Sequence, residues 1–259
     1  MPHTSLGTWE PAPLAEVVRL FSGLRCPWWI AGGHAIELAV GHAFRPHGDI
    51  DVLLLCRDQG LSFGSGRISE RGLVPWIARR RREAWRSHAD RRQRGEGACQ
   101  GPRARQDPND RPWLAAQQAL AGWEWWAADP PGTLRPWVAG ELLPAGVHDI
   151  WCHPGPGTPW RIQLMLDESH VGEWTSRHDA RVRRPIHELG VMSAEGVPYL
   201  SPEVQLHYKA RTPRPKDEAD FTAVLPLLTD ERRDWLAGAI SLTYGTHPWL
   251  ARLPRDDSR

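Results

Sequence analysis

The apolar run Trp28-Trp29-Ile30-Ala31 breaks at Gly32-Gly33 into a segment of helical pattern, and the chain then sets Asp49-Ile50-Asp51 at the head of a second apolar run, Val52-Leu53-Leu54-Leu55. Short apolar runs bounded by turn residues read as buried strands. His34-Ala35-Ile36-Glu37-Leu38-Ala39-Val40 suits a short helix stopped by Gly41. The order is therefore strand, tight turn, helix, strand. Alternation along the second strand puts the Asp49 and Asp51 carboxylates on one face. A rigid pair of anionic oxygens is what Mg²⁺ on a polyphosphate requires, because this ion keeps near-octahedral geometry and takes only one or two protein carboxylates. The glycines open a helix, where free N–H groups and the positive dipole end favour an anion and the missing Cβ lets a phosphate approach. A Gly-Gly pair alone is a common turn, and a lone Asp-X-Asp is a common strand end. In this order, the two read as halves of a metal-dependent nucleotide site.

Further along, Trp123-Glu124-Trp125-Trp126-Ala127-Ala128 reads as a short strand or a helix-to-strand junction. Val147 to Cys152 and Trp160 to Leu166 flank the turn-rich Pro154-Gly155-Pro156-Gly157-Thr158-Pro159, a hairpin signal. His148, Asp149, Cys152 and His153 suggest a zinc site, but strand alternation followed by a loop gives no convergent ligand spacing. Asp167 or Glu168 closes the second hairpin strand and is the candidate third carboxylate; solvated strand-end charge is the plain alternative. The C-terminal third patterns as helices: Ser201 is an N-cap before Pro202-Glu203, and Asp217 and Asp220 suit the N-terminal dipole of the next helix.

At these motifs the chain resembles the nucleotidyltransferase superfamily, in the antibiotic-modifying branch of aminoglycoside 2''-adenylyltransferases and lincosamide nucleotidyltransferases. The resemblance rests on Gly32-Gly33, Arg45-Pro46-His47-Gly48-Asp49-Ile50-Asp51, Trp160 to Glu168, Gly196 to Leu206, Lys209 and Arg214 to Phe221. It implies an α/β (α+β) fold of the polymerase beta-like kind, a mixed sheet with flanking helices and a helical C-terminal part. It also implies a third acid near Asp167 and Glu168, and a triphosphate-neutralising role for Lys209, whose plain alternative is a snorkelling surface lysine. His34 departs from the tryptophan usual in this branch. The expected division is a core of 1–59 and 116–184, an Arg-rich insertion at 60–115 and a mainly helical part at 185–259.

The expected chemistry is nucleotidyl transfer, adenylyl by the resemblance, from ATP or another NTP to a hydroxyl of a small molecule such as an aminoglycoside or lincosamide. Mg²⁺ would be held by Asp49 and Asp51 with Asp167 or Glu168. The phosphates would rest on Gly32-Gly33, with Arg45, His47 and Lys209 as charge partners; Arg45 and His47 have loop anchoring as their alternative role. One acid, the third carboxylate, would be the general base.

Charge sets the expected partners. The formal net charge is +1, yet Gly60 to Ala115 carries thirteen arginines against six acids, leaving a mildly acidic body unlike a nucleic-acid binder. The 60–115 stretch, with Arg79-Arg80-Arg81-Arg82, has little apolar periodicity and reads as a partly disordered insertion. An arm gripping RNA is its functional alternative, as clustered Arg favours polyanions. Rival readings are a toxin-antitoxin-type or non-catalytic protein acting on a protein or RNA, and the inactive product of an interrupted gene. Four cysteines without a CxxC pair, and no secretory leader, fit a reduced bacterial cytoplasm. No apolar run reaches membrane-span length.

Overall fold

The computed structural model describes residues 6–24, 26–57, 112–130, 132–138, 141, 143–144 and 146–253. Most of the 60–115 stretch, and with it the expectation of disorder or an RNA-gripping arm, lies outside the described residues.

The helices among the described residues are α1 (Leu14–Phe21), α2 (Gly32–Val40), α3 (Pro112–Ala119), α4 (Pro202–Lys209), α5 (Pro215–Val224) and α6 (Asp230–Tyr244). The strands are β1 (Trp28–Ala31), β2 (Asp51–Arg57), β3 (Glu124–Ala128), β4 (Leu134–Pro136), β5 (Asp149–His153), β6 (Ile162–His170), β7 (Glu173–Thr175), β8 (Arg183–Pro185), β9 (Gly190–Met192) and β10 (Pro198–Leu200). They form one mixed sheet in the order β4-β3-β5-β6-β2-β1-β10-β9, with β7 on β6 and β8 on β7. The architecture is mixed α/β, with helices clustered at the C-terminal end of the chain.

The strand-turn-helix-strand expectation holds: β1 pairs antiparallel with β2, Ala31 opposite Asp51, and α2 ends at Gly41 in the left-handed conformation with φ 85°. β2 is central, parallel to β6, and Val52, Leu53 and Leu54 are fully buried. Burial on both faces explains the unbroken apolar run after Asp51. The expected hairpin is β5–β6, antiparallel, with Ile150 opposite Leu164.

The described residues form two apolar cores. The larger joins the sheet to α1 and to Ala116 and Leu120 at the end of α3, and α3 also packs beside β2. The smaller joins Ile36 of α2 to Leu206, Phe221, Leu236, Ile240 and Trp249. α2 thus belongs to both: it follows β1 directly and packs against α4 and α5. That placement carries the C-terminal helices to the edge of the glycine turn. Ser201 precedes α4 as expected, but its hydroxyl donates to the Glu188 carbonyl (3.2 Å) instead of capping the helix.

Candidate active site

Asp51 is the centre of the site. Gly32 has φ +65°, and a Cβ there would collide with the Asp51 carboxylate. The carboxylate thus takes the volume a side chain would need, at the N-terminal end of α2. Burial, then the neighbouring Asp49 and Asp149, push the Asp51 carboxyl up to about 7, while Lys209 and Arg177 pull it down. Asp49, half-buried just before β2, is the strongest charged neighbour, as strand alternation requires.

Asp167 and Glu168, the candidates for a third carboxylate, stand apart from Asp51 along the sheet. Register places Leu55 opposite Asp167 and Asp51 opposite Gln163. Asp167 therefore shares the Asp51 face but stands four residues further along, roughly 13 Å at strand rise. One of its oxygens is taken, by Trp174 Nε1 (2.7 Å) and the Tyr208 hydroxyl, both donating, while the other makes no hydrogen bond and lies 3.8 Å from Arg177. Burial raises its pKa against the pull of Arg177 and those two donors. Asp167 is a structural acid inside the fold. Glu168, one residue on, points to the opposite face and is exposed.

The acid on the correct face is Asp149 of β5, opposite Met165. Gln163 bridges the gap, its Nε2 donating to Asp149 Oδ1 (3.2 Å), and Arg177 donates to the same oxygen (3.4 Å). The Asp149 side chain is 38% exposed. It was read in sequence as part of a rejected zinc motif; alternation within Asp149-Ile150-Trp151-Cys152 was its signal, but pairing between β5 and β6 was needed to align it with Asp51.

The expected phosphate contacts are also rearranged. The Gly32 amide donates to Gln205 Oε1 of α4 (2.7 Å), so this N–H is already spent. A Cβ on Gly33 would strike Arg45 and His47, so both glycines are clearance positions first. Arg45 makes a fork to Asp220, Nε to Oδ1 at 2.7 Å and Nη2 to Oδ2 at 2.8 Å. It anchors the loop before β2, the alternative noted for it. His47 Nε2 lies 2.9 Å from Glu37 of α2, and its Nδ1 accepts from Arg45 Nη1 at 3.1 Å. Arg45 and His47 are thus engaged within the protein.

Lys209 is no surface lysine. Its side chain is 7% exposed, with Nζ 3.0 Å from Asp217 and 2.9 Å from Asp220, and its charge still reaches Asp51. Asp217 also accepts from the Arg214 backbone N–H (3.0 Å), the capping role expected of it. Two cations missed by sequence reasoning, Arg177 and Arg214, act on Asp51 and Asp49 respectively.

Asp49 and Asp51, both half-buried, thus sit at the turn of a strand-helix-strand unit with Lys209 and Arg177 acting on Asp51. Residues 13–59, which contain that unit, match the family model for aminoglycoside-2''-adenylyltransferase, and over this segment the chain is similar to that family. Among solved structures, the crystal structure of ANT(2'')-Ia in complex with adenylyl-2''-tobramycin aligns over 88% of this chain and 95% of its own, at 14% identity and TM-score 0.41. The solution structure of antibiotic-resistance factor ANT(2'')-Ia aligns over 89% and 90%, at 16% identity and TM-score 0.42. No curated protein matches.

Proposed function

We propose that the chain transfers a nucleotidyl group, adenylyl by its resemblance to the matched family, from ATP or another NTP to a hydroxyl of a small molecule of the aminoglycoside or lincosamide kind. The observation that carries this is the crowding of Asp49 and Asp149 around half-buried Asp51, which leaves anionic charge in need of a cation. The donors are hard oxygens, the set Mg²⁺ takes. Asp49 and Asp51 would hold the ion, which when bound supplies charge neutralisation on the phosphates.

The chain's own groups do the rest. Lys209 and Arg177 add positive charge around Asp51, and the α2 N-terminus presents its dipole to the same point. The acceptor hydroxyl attacks the α-phosphorus, its proton passes to Asp149, and pyrophosphate leaves. Asp149 takes the base role because it is the partly exposed carboxylate on the Asp51 face.

The test is Mg²⁺-dependent pyrophosphate release from each NTP against a panel of aminoglycosides and lincosamides. α3 begins at Pro112 and its end is buried in the core, so the shortened comparison chain should lack residues 60–111 and keep the helix. Acceptor-dependent release that vanishes in Asp51→Asn supports the reading. Release only after excision makes the Arg-rich segment a lesion, and silence from both chains with every acceptor overturns the proposal.

A further inference from the structure

A second cluster, separate from the aspartates, joins the first turn of α2 to the loop before β2. His34, Glu37 and His47 each offer one ligand atom, and the three lie within 4.8 Å of one another. His47 Nε2 is 2.9 Å from Glu37 Oε2, and His34 Nδ1 is 4.0 Å from the same oxygen. The two imidazoles face each other with centroids 4.1 Å apart. Zinc bound tetrahedrally at about 2.0–2.1 Å separates its ligands by roughly 3.3 Å, between the two distances found.

Two further observations point to a ligand. The His47 side chain is 7% exposed, and Nε2, though close to Glu37, makes no hydrogen bond of proper geometry. Glu37 is held as metal-binding carboxylates are: Oε1 accepts the backbone N–H groups of Phe44 (3.0 Å) and Arg45 (3.3 Å), leaving Oε2 aimed at the histidines. His34 and Glu37 are i, i+3 on one helical face, so the pair is preset before the loop arrives.

We infer that His34, Glu37 and His47 form a binding site for a divalent transition cation of the Zn²⁺ class, distinct from the carboxylate pair that suits Mg²⁺. Two imidazoles and one carboxylate favour a borderline cation over a hard one. Binding through Nε2 requires the Nδ1–H tautomer of His47, so Arg45 Nη1 gives up its contact there while its fork to Asp220 remains. The ion would fasten the Arg45–Asp49 loop to α2 and so fix Asp49 relative to the glycine turn. The site does not depend on the transferase reading.

The test is titration of the full chain with Co²⁺ and with Zn²⁺, in excess Mg²⁺ to keep the carboxylate site filled. The readouts are visible absorption of four- or five-coordinate Co²⁺ and a calorimetric dissociation constant. His34→Ala and Glu37→Gln should each weaken binding by at least about tenfold and change the Co²⁺ spectrum. His42→Ala, an exposed neighbouring histidine, controls for surface binding, and circular dichroism reports folding of each variant. No stoichiometric Co²⁺ or Zn²⁺ binding, or binding and spectra indifferent to both His34→Ala and Glu37→Gln, would overturn the inference.

Discussion

At the level of single residues, Asp51 and Gly32 are one device. The carboxylate occupies the space beside a glycine held at φ +65°, so Gly32→Ala meets both a clash and backbone strain. Pyrophosphate release should disappear in that variant, and a thermal melt should show a loss of stability. Asp51→Asn has a different signature. It removes a partly buried charge that Asp49 and Asp149 oppose, so in Mg²⁺-free buffer at pH 8 its melting temperature should equal or exceed the parent's. Its activity should fall by at least about 100-fold. Asp149→Asn should lower kcat by about 10²–10⁴-fold, the span of a lost general base, while Glu168→Gln, on the far face, should leave kcat near the parent's. The reverse result in steady-state kinetics would return the base role to Glu168.

Between elements, the ion-pair network of Arg45, Asp220, Lys209 and Asp217 ties the loop before β2 to α4 and α5. Asp220 is fully buried, accepts the Arg45 fork and lies 2.9 Å from Lys209. Removing one member of such a network strands buried charge, so Asp220→Ala should cost about 3–5 kcal/mol in urea unfolding. Asp217 sits near pH 2 because Arg214 and Lys209 outweigh its burial, and keeps its charge in any physiological buffer. Arg45 was legible as a residue close to the metal strand. Its partner, 175 positions away in sequence, was not, because only the packing of α2 on α5 brings them together.

For the molecule as a whole, buried histidines should govern the response to acid. His34, His178 and His207 are lowered to about 4, in each case first by burial. Between pH 4 and about 6.5 the unfolded chain binds three protons there that the folded chain does not. Asp51 runs the other way: raised to about 7, it holds a proton only in the folded state over the same window. Over these four groups the net is about two protons favouring unfolding, offset in part by Asp167, which burial also raises, so stability should fall as pH drops from 6.5 to 4. Urea melts at pH 4.5 and 6.5 in chelated buffer check this, and His178→Gln should flatten the slope. A urea midpoint that rises on acidification would mean that Asp51 dominates.

Local sequence determined the β1-α2-β2 unit, the β5–β6 hairpin and the Asp49–Asp51 pair, because each depends on periodicity and turn chemistry within a few dozen residues. The cap at Asp217 was readable for the same reason. Tertiary structure alone decided which acid joins that pair and which cations stand behind it. Strand register is a long-range property: pairing Leu55 with Asp167 removes that acid from the site, and the hairpin carries Asp149 in instead. It likewise gave the Gly32 amide to Gln205, since a helix far along the chain claims an N–H that sequence could only show as free.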